Sequence, residues 1–412
     1  MSLTLTLRQR ALVSDRLRED FLQTTFQHLP GTVVRGAFAA AWLAEHGGTA
    51  DSNRLEFLLL FEGGVRFGPL FRGGPPTPLS IVSHKYRIGT GDKECADLDF
   101  DQALTGLARP YCPTCEVPLE PAKGMRGEKA TVSRRTSVAI NEAGVARRGQ
   151  IVTRDTLDPE QAFRGSLVAD DPALLDRLAA LGPVRVGGRR TTHGTAEVAL
   201  DAVPPELPER LADGRVVLRL RSPGIFVDDY GRPSRDPNLA ELSDVLGSRV
   251  EVHGRWFRWV TIGGWHAASN LPKPAELAVA AGSTYVISAS GGIGDGGLTA
   301  LAERGIGLRR CEGFGDLGGP FPLEQGARGR SEEGRRTAKA AEALAKRVGI
   351  SLNGKDWAQC QGPLTSYVRG EISAADLVGR LLFVPLRVQS NMRKLPQRYD
   401  ASGMEVNGKW RR

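Results

Sequence analysis

The residues best suited to bind a ligand form a glycine loop, GIGLRRCEGFG, at 305–315. Glycines allow backbone N–H groups to approach a phosphate without side-chain interference. Arg309 and Arg310 add charged, bidentate donors, and Phe314 offers a ring on which an unpaired base can stack. The glycines of this loop are Gly305, Gly307, Gly313 and Gly315. The combination predicts a contact with single-stranded RNA, although a structural glycine loop with surface arginines gives the same pattern.

A second loop of this kind, GGRRTTHG, occurs at 187–194. Each copy follows a strand-like and a helix-like segment and carries paired arginines, which indicates one supersecondary unit used twice. Arg189, Arg190 and His193 are therefore also predicted to contact RNA. His193 could instead act as a general base in RNA cleavage or simply face solvent. The six histidines show neither H-E-x-x-H spacing nor an accompanying nucleophile elbow, so we predict no catalytic residue.

A third glycine motif, GIGDGG at 292–297, lies between a predicted strand and a predicted helix. It satisfies the dinucleotide-binding pattern G-x-G-x-x-G. However, Asp295 would place a negative charge beside the pyrophosphate, and no acidic residue stands about twenty positions further on. The chain also lacks the repeated βαβ rhythm of a parallel sheet. A nicotinamide or flavin enzyme is therefore the weakest alternative.

Cys112 and Cys115 have the C-x-x-C spacing with which two thiolates hold one tetrahedral zinc ion. The nearest candidates for the remaining ligands are His84 and Cys95. Four protein ligands would close the coordination shell, so the zinc would be structural. The alternative for Cys95 is a small buried apolar residue.

Hydrophobic patterning predicts an α+β fold with two similar halves. Residues 2–7 (SLTLTL) alternate with period two, as a half-buried strand does, and residues 216–221 open a second half. A proline-rich stretch at 204–208 separates them. We predict tandem ferredoxin-like (RRM-like) modules. The predicted domains are a first module at 1–203 with a zinc-knuckle insertion at about 84–127, a second module at 204–325, and a helical extension with a basic tail at 326–412.

The charge balance favours an anionic partner. Lysine and arginine number 55 against 47 aspartates and glutamates, which gives a net charge of +8, and basic proteins attract nucleic acid. No apolar run approaches the ~20 residues of a membrane span, and the amino terminus lacks a signal-peptide pattern. The five cysteines do not suggest a disulfide framework. We therefore expect a cytoplasmic protein without membrane contact.

A series of short motifs resembles the RAMP superfamily of CRISPR proteins, specifically the large two-module RAMP subunit of subtype III-D effector complexes. The resemblance covers most of residues 3–317. Each motif is short, but their order and spacing together are specific. The motifs are LPGTVVRGA (29–37), VRFGPL (65–70), PLSIVSHK (78–85), CPTC (112–115), RTSVAINEAGVA (135–146), AFRG (162–165), GGW (263–265), LPKP (271–274), GSTY (282–285) and the loop at 305–315.

The resemblance implies a subunit that holds the 5′ repeat-derived handle of a guide RNA (crRNA). Its implied partners are other RAMP backbone subunits, the large polymerase-like signalling subunit and, indirectly, target RNA. Arg35, Lys85, Arg134 and Arg135 lie in or beside the motifs and are predicted to contact RNA. In this family a Cys-Lys step commonly stands where His84 and Lys85 stand here, and a Cys-to-His exchange preserves zinc ligation.

The resemblance also bears on catalysis. In related backbone subunits a loop aspartate cleaves target RNA, but no motif carries that role onto a residue of this chain. We therefore predict a non-catalytic subunit. The alternative is a RAMP endoribonuclease that processes CRISPR transcripts, which would need His193 close to the scissile 2′-hydroxyl.

Overall fold

A computed structural model describes most of the 412-residue chain. The described residues are 1–14, 22–84, 99–106, 110–112, 118–122, 124–125, 127–188, 192–266, 271–323, 332–351, 355–368, 370, 372–382, 384–393 and 395. The predicted site residues that lie outside them are Lys85, Cys95, Cys115, Arg189 and Arg190.

The described residues form a mixed set of strands and helices, which confirms the α+β class. The strands are β1 (Ser2–Leu7), β2 (Leu22–Gln23), β3 (His28–Leu29), β4 (Val65–Phe71), β5 (Ile81–His84), β6 (Asp99–Asp101), β7 (Leu119–Pro121), β8 (Val132–Ile140), β9 (Ala146–Leu157), β10 (Ala162–Ala169), β11 (Val184–Arg185), β12 (Thr195–Asp201), β13 (Glu209–Arg210), β14 (Val216–Leu220), β15 (Val250–Trp256), β16 (Trp259–Ile262), β17 (Trp265–His266), β18 (Leu271–Pro272), β19 (Glu276–Val279), β20 (Thr284–Ala289) and β21 (Leu317–Gly318). The α-helices are α1 (Gly31–Glu45), α2 (Arg54–Leu58), α3 (Gln102–Thr105), α4 (Pro172–Ala179), α5 (Leu239–Leu246), α6 (Asp295–Arg304), α7 (Glu332–Val348), α8 (Lys355–Val368), α9 (Ala374–Arg380) and α10 (Leu386–Arg393).

The chain divides into two compact units. The first consists of residues 1–80 and 123–321, and the second of residues 81–122 and 322–412. The predicted boundary between modules, at 203–204, falls inside the first unit, where it separates two different sheets. Within the part of the chain that the structure describes, no helix is long and apolar enough to cross a membrane.

The first half of the first unit is built on a six-stranded sheet with the order β11-β12-β1-β10-β4-β3. The period-two pattern of β1 is realised, because Leu3, Leu5 and Leu7 are fully buried while the residues between them are half-buried. β1 runs antiparallel to both β10 and β12. Helix α1 adds Phe38 and Trp42, four positions apart on one helix face, to the same core.

The second half repeats this plan on a smaller sheet, ordered β13-β14-β20-β15 with β21 also paired to β14. In chain order, β14, α5, β15, β20, α6 and β21 correspond to β1, α1, β4, β10, α4 and β12 of the first half. In the first sheet the opening strand β1 lies between β10 and β12, the third and fourth strands of this repeated order. In the second sheet β14 lies in the same way between β20 and β21. β20 is antiparallel to both neighbours, so the GIGDGG motif at 292–297 does not lie in the parallel sheet that dinucleotide binding requires.

A buried ion-pair network joins the two halves. Asp316, which is fully buried just before β21, accepts hydrogen bonds from Arg66 Nη1 on β4 and Arg221 Nε after β14, each at 2.7 Å. Ser166 Oγ on β10 also donates to it at 3.3 Å. Burial raises the pKa of Asp316, but the two guanidinium groups outweigh burial and hold the pKa below its usual range.

The second unit contains a small sheet, β6-β5-β7, and the helices α7 to α10. The helices enclose a core of their own, which includes Leu344, Leu364, Leu377 and Met392. A capping box at Ser373 fixes the start of α9, because its hydroxyl accepts from Asp376 N while the Asp376 carboxylate accepts from Ser373 N. Helix α7 (Glu332–Val348) lies within the segment 326–412, for which the sequence predicts a helical extension.

Candidate nucleic-acid interface

The long hairpin of β8 and β9 sorts four charged residues onto two faces. Opposite residues on paired strands share a face, and the register pairs Arg135 with Arg154 and Arg134 with Asp155. Arg134 donates to Asp155 from Nε at 2.8 Å and from Nη2 at 3.1 Å. These hydrogen bonds, despite the opposing effect of burial, lower the pKa of Asp155. Arg134 is therefore neutralised on one face, while two arginines meet on the other.

The face with two arginines borders a pocket of about 520 Å³ in the first unit. We call it the arginine pocket. Three segments line it: the chain after β1, the hairpin, and the end of the first glycine loop. The lining residues are Arg8, Gln9, Arg10, Leu12, Arg135, Ser137, Arg154, Thr156, Pro159, Thr192 and His193. The structure thus brings together two predicted RNA-binding residues, Arg135 and His193, and adds three arginines.

The arginine pocket is strongly cationic, since its described lining has four arginines and no carboxylate. Arg8 is compensated by Glu160 and Glu197, with N–O distances of 2.6 and 2.7 Å. Among the described residues, neither Arg10 nor Arg135 forms an ion pair. A pocket with uncompensated guanidinium groups and no acidic residue is suited to the phosphates of a nucleic acid.

The register places Arg135 directly opposite Arg154, and both residues line the arginine pocket. Arg154 is held in place by a hydrogen bond from its Nε to Gln23 Oε1 at 2.7 Å. Arg135 is exposed, so its guanidinium group is accessible to a phosphate.

His193 lies half-buried at the edge of the arginine pocket. Its Nδ1 is 2.7 Å from the hydroxyl of Thr192. The described lining contains no carboxylate, lysine or tyrosine that could complete an acid–base pair. Both predictions for His193, a contact to RNA and a general base, therefore stay predictions.

The glycines of both loops have a structural role that the sequence analysis did not predict. A Cβ on Gly315 would lie 1.7 Å from Ile306 O, and one on Gly194 would lie 2.1 Å from Val186 O. Each loop is closed by the same hydrogen bond, from Ile306 N to Gly315 O at 3.0 Å and from Val186 N to Gly194 O at 2.9 Å. The two loops are thus equivalent, and both need glycine for close packing.

The second glycine loop does not present its backbone for phosphate binding. The N–H groups of Gly305, Gly313 and Gly315 donate to carbonyl groups of the chain itself, each at 2.9 Å. Gly307 packs closely on Ile225, because a Cβ at position 307 would lie 2.6 Å from Ile225 O. Neighbouring backbone thus occupies these donors and the space beside them, and the phosphate cradle stays a prediction.

The side chains of the second loop are also engaged. Arg309 is paired with Glu276 and Glu312, and Arg310 with Glu241. Phe314 is only 7% exposed, packs with Ile225 and Ala278, and carries the Arg309 guanidinium 4.9 Å from its ring centroid. Its ring thus packs against the protein itself, and stacking of a base on Phe314 stays a prediction. Arg35, on α1, is likewise directed to the protein, since it donates to Phe61 O and Glu62.

A match to a known protein family bears on the resemblance to CRISPR proteins. Residues 159–316 match the model of a family described as CRISPR-associated protein (Cas_Cmr3). The resemblance to CRISPR-associated RAMP proteins is confirmed. The match covers less than half of the chain but contains both glycine loops and the second sheet. No curated protein matches the sequence, and the III-D subtype stays a prediction.

Solved CRISPR structures show a distant likeness. A chain of the type III-B Cmr-beta complex bound to cognate target RNA and AMPPnP is 12% identical, with 69% of this chain and 86% of that chain covered and a TM-score of 0.39. A chain of a Csm3–Csm4 subcomplex of a type III-A interference complex is 12% identical, with 72% of this chain and 94% of that chain covered and a TM-score of 0.32. A CRISPR associated protein Cas6 is 9% identical, with 79% of this chain and 99% of that chain covered and a TM-score of 0.33. TM-scores this low carry no argument about function.

The predicted zinc ligands are only partly described. His84 and Cys112 are both buried in the second unit. His84 pairs with Leu119 across β5 and β7, and Leu119 N donates to Pro110 O at 2.9 Å, so the segment that contains Cys112 folds back towards β5. Among the described residues, no group of three or more histidine, cysteine or acidic side chains forms a metal site.

Three arginines of the arginine pocket were missed by the sequence analysis. Arg8 and Arg10 directly follow β1, in the run Arg-Gln-Arg, and Arg154 stands opposite Arg135. The sequence signal for Arg8 and Arg10 was the presence of two basic residues directly after β1, the opening strand of the first half. The strand pairing of a hairpin at 132–157, predicted from the alternation of apolar and polar residues, would have placed Arg154 opposite Arg135.

Replacing Gly315 with alanine should destabilise the chain strongly. The new methyl would collide with Ile306 O, and neighbouring backbone would have to move. Gly292→Ala is the matched control, because Gly292 also has a positive φ, 75° against 66°, but has open space around it. We expect Gly315→Ala to lower the midpoint of urea unfolding well below that of Gly292→Ala. Equal midpoints would contradict the packing role of this glycine.

The ion pairs of Glu312 should make the free energy of unfolding depend on pH in the acidic range. Burial raises its pKa, but hydrogen bonds from Arg309 and Lys273 outweigh burial and hold the pKa at about 2. A depressed pKa stabilises the fold above the unfolded value of 4.5, and this contribution is lost as pH falls from 4.5 towards 2.

We therefore expect Glu312→Gln to lower the free energy of unfolding at pH 7, and the difference from wild type to shrink steadily below pH 4.5. Urea titrations at several pH values would measure this. Glu251→Gln is the control, because Glu251 is exposed and its nearest arginine nitrogen is 3.8 Å away. A difference from wild type that does not change with pH would rule out the assigned ion pairs.

Proposed function

We propose that the chain is a non-catalytic, guide-RNA-binding subunit of a type III (III-D-like) CRISPR effector complex. In this role it holds the 5′ repeat-derived handle of the crRNA and joins the large polymerase-like signalling subunit to the RAMP backbone subunits. Target RNA is met indirectly, through pairing with the guide. The observation that carries the proposal is the arginine pocket, which combines uncompensated guanidinium groups with a glycine loop that the CRISPR family match includes.

The arrangement of the halves supports the proposal. Each half has the order strand, helix, strand, strand, helix, strand, with the opening strand between the third and fourth. This is the plan of ferredoxin-like modules, on which many RNA-binding proteins are built. We therefore propose tandem ferredoxin-like modules. The first of them would carry the main RNA contact, because the arginines of the second glycine loop are occupied by ion pairs.

The deciding experiment compares guide RNAs with and without the handle. Labelled crRNA with its 5′ handle, the same RNA without the handle, and a scrambled RNA of equal length would be titrated with the purified chain. We expect the handle-bearing RNA to bind most tightly, and all three affinities to fall with salt, because phosphate contacts release counterions. Equal affinity for the three RNAs would reject handle recognition while leaving general RNA binding intact.

A RAMP endoribonuclease is the second candidate, favoured by the position of His193 in the arginine pocket. Purified protein would be incubated with CRISPR repeat RNA in the presence of EDTA. Discrete cleavage that is lost in His193→Ala would replace the proposed function. Absence of cleavage under conditions in which the RNA is fully bound would support the non-catalytic role.

We also propose a structural zinc ion in the second unit, held by His84, Cys95, Cys112 and Cys115. The burial of His84 and Cys112, and the pairing that folds the Cys112 segment back towards β5, are compatible with such a site. Elemental analysis of the purified chain should give one zinc per molecule, and less in Cys112→Ser. A zinc-free protein with an unchanged unfolding midpoint would contradict this proposal.

A further inference from the structure

A two-stranded ribbon in the second half exposes several large apolar side chains. β16 pairs with β19, and β17 pairs with β18 beyond them. We call residues 259–266 and 271–279 the tryptophan arm. Its large exposed side chains are Trp259 (40% exposed), Trp265 (55%), Leu271 (59%) and Leu277 (41%). The register places Trp259 and Leu277 on one face of the β16–β19 pair, and Trp265 and Leu271 on opposite faces of the β17–β18 pair. Large exposed apolar side chains that are grouped on one short ribbon indicate a place where a ligand or partner binds.

The opposite face of the tryptophan arm anchors it. Val260 and Ile262 on β16 pack against a small core formed by Ile225, Ala278 and Phe314. The ion pair between Glu276 and Arg309 ties β19 to the second glycine loop. The β16–β19 pair is thus held against the second half, and Trp259 is exposed on the face of β16 that does not contact this core.

Charge distinguishes the partner that this surface fits. Glu276 and Glu312, the carboxylates on and below the arm, are both ion-paired to Arg309, and Glu312 also to Lys273. They would therefore not repel a phosphate strongly. Among the described residues, Arg258, at the base of the arm, forms no ion pair. An indole surface with a neighbouring uncompensated arginine is the combination that binds unpaired bases and their backbone.

We propose that the tryptophan arm binds single-stranded RNA by stacking unpaired bases on Trp265 and Trp259. Stacking on aromatic rings tolerates any base, because every base has a π face. The site is separate from the arginine pocket and different in chemistry, since it contributes stacking where the pocket contributes charge. The inference rests on the proposed function only in taking RNA as the ligand.

The test measures the binding of a 5′-labelled twelve-nucleotide oligouridylate by fluorescence anisotropy at several salt concentrations. We expect Trp265→Ala to weaken binding about tenfold with an unchanged dependence on salt. Trp265→Phe should retain most of the affinity because it keeps an aromatic face, whereas Trp265→Leu should not. Tyr230→Ala is the matched control, because Tyr230 is 82% exposed on a different loop of the same half.

The outcomes separate this inference from the proposed function. If wild type binds RNA and Trp265→Ala binds equally well, the stacking site is refuted while RNA binding stands. If Trp265→Leu binds as tightly as wild type, binding does not need an aromatic ring at this position, and the stacking site is refuted. Loss of binding in Trp265→Ala with an altered salt dependence would indicate a disturbed arginine pocket and would also overturn the assignment.

Discussion

Replacing Arg10 and Arg135 together with glutamine should reduce RNA affinity about a hundredfold at low salt. Both side chains line the arginine pocket, and neither has an ion-pair partner among the described residues. A hydrogen bond to a charged group contributes about 1.5–3 kcal/mol, so two lost phosphate contacts together amount to about 3 kcal/mol or more. The measurement is a salt-dependent titration of labelled single-stranded RNA.

The salt dependence is the more specific part of this prediction. Each phosphate contact on a single strand contributes about 0.7 to the slope of log affinity against log salt concentration. The double variant should therefore show a slope that is smaller by about 1.4. Arg232→Gln combined with Arg249→Gln is the control, because it removes the same charge from exposed arginines outside the pocket. If both double variants lose affinity equally, the effect is one of net charge alone.

Affinity should fall without a loss of stability in the single variant Arg135→Gln. Arg135 is exposed and forms no ion pair among the described residues, and substitutions of exposed side chains usually change stability by less than about 0.5 kcal/mol. We expect an unchanged midpoint of unfolding together with weaker RNA binding. A variant that loses both stability and affinity would instead show that Arg135 supports the fold.

The sequence predicted the elements of the first unit better than the role of its glycines. The alternation in SLTLTL predicted β1, because burial on one face of a strand follows directly from period two. The repeat of strand, helix and glycine loop was also visible. What the glycines pack against was not visible, since Gly313 lies against Phe67 and Gly31, far away in the sequence. The same pattern of residues thus suits a phosphate cradle and a tight junction.

For the arginine pocket, the sequence predicted individual residues but not which of them lie close together. His193 and Arg135 were predicted individually, but their proximity depends on how the hairpin of β8 and β9 lies over the end of β1. Arg309 and Arg310 were predicted by the same reasoning as Arg189 and Arg190. Their pairing with Glu241 and Glu276 depends on α5 and β19, which only the folded chain brings near. Residue type predicted the chemistry, and contacts with residues distant in the sequence determined that the arginines of the second loop are engaged in ion pairs.

Asp316→Asn should be the most destabilising conservative substitution in the first unit. The carboxylate is the shared partner of Arg66 and Arg221, both largely buried, so the amide would leave two guanidinium groups without their countercharge. Breaking a buried ion pair by removing one partner typically costs 3–5 kcal/mol. Because these residues come from both halves, we expect one cooperative unfolding transition at much lower urea, followed by circular dichroism.

Asp213→Asn is the control for this substitution. Asp213 also pairs with an arginine, Arg215, at 2.7 Å, but at the surface, where solvent screens the interaction and little stability depends on it. A small effect of Asp316→Asn, equal to that of Asp213→Asn, would show that the two halves do not depend on this network. Separate transitions for the two sheets would lead to the same conclusion, because a charge cluster that joins the halves must be lost when either half unfolds.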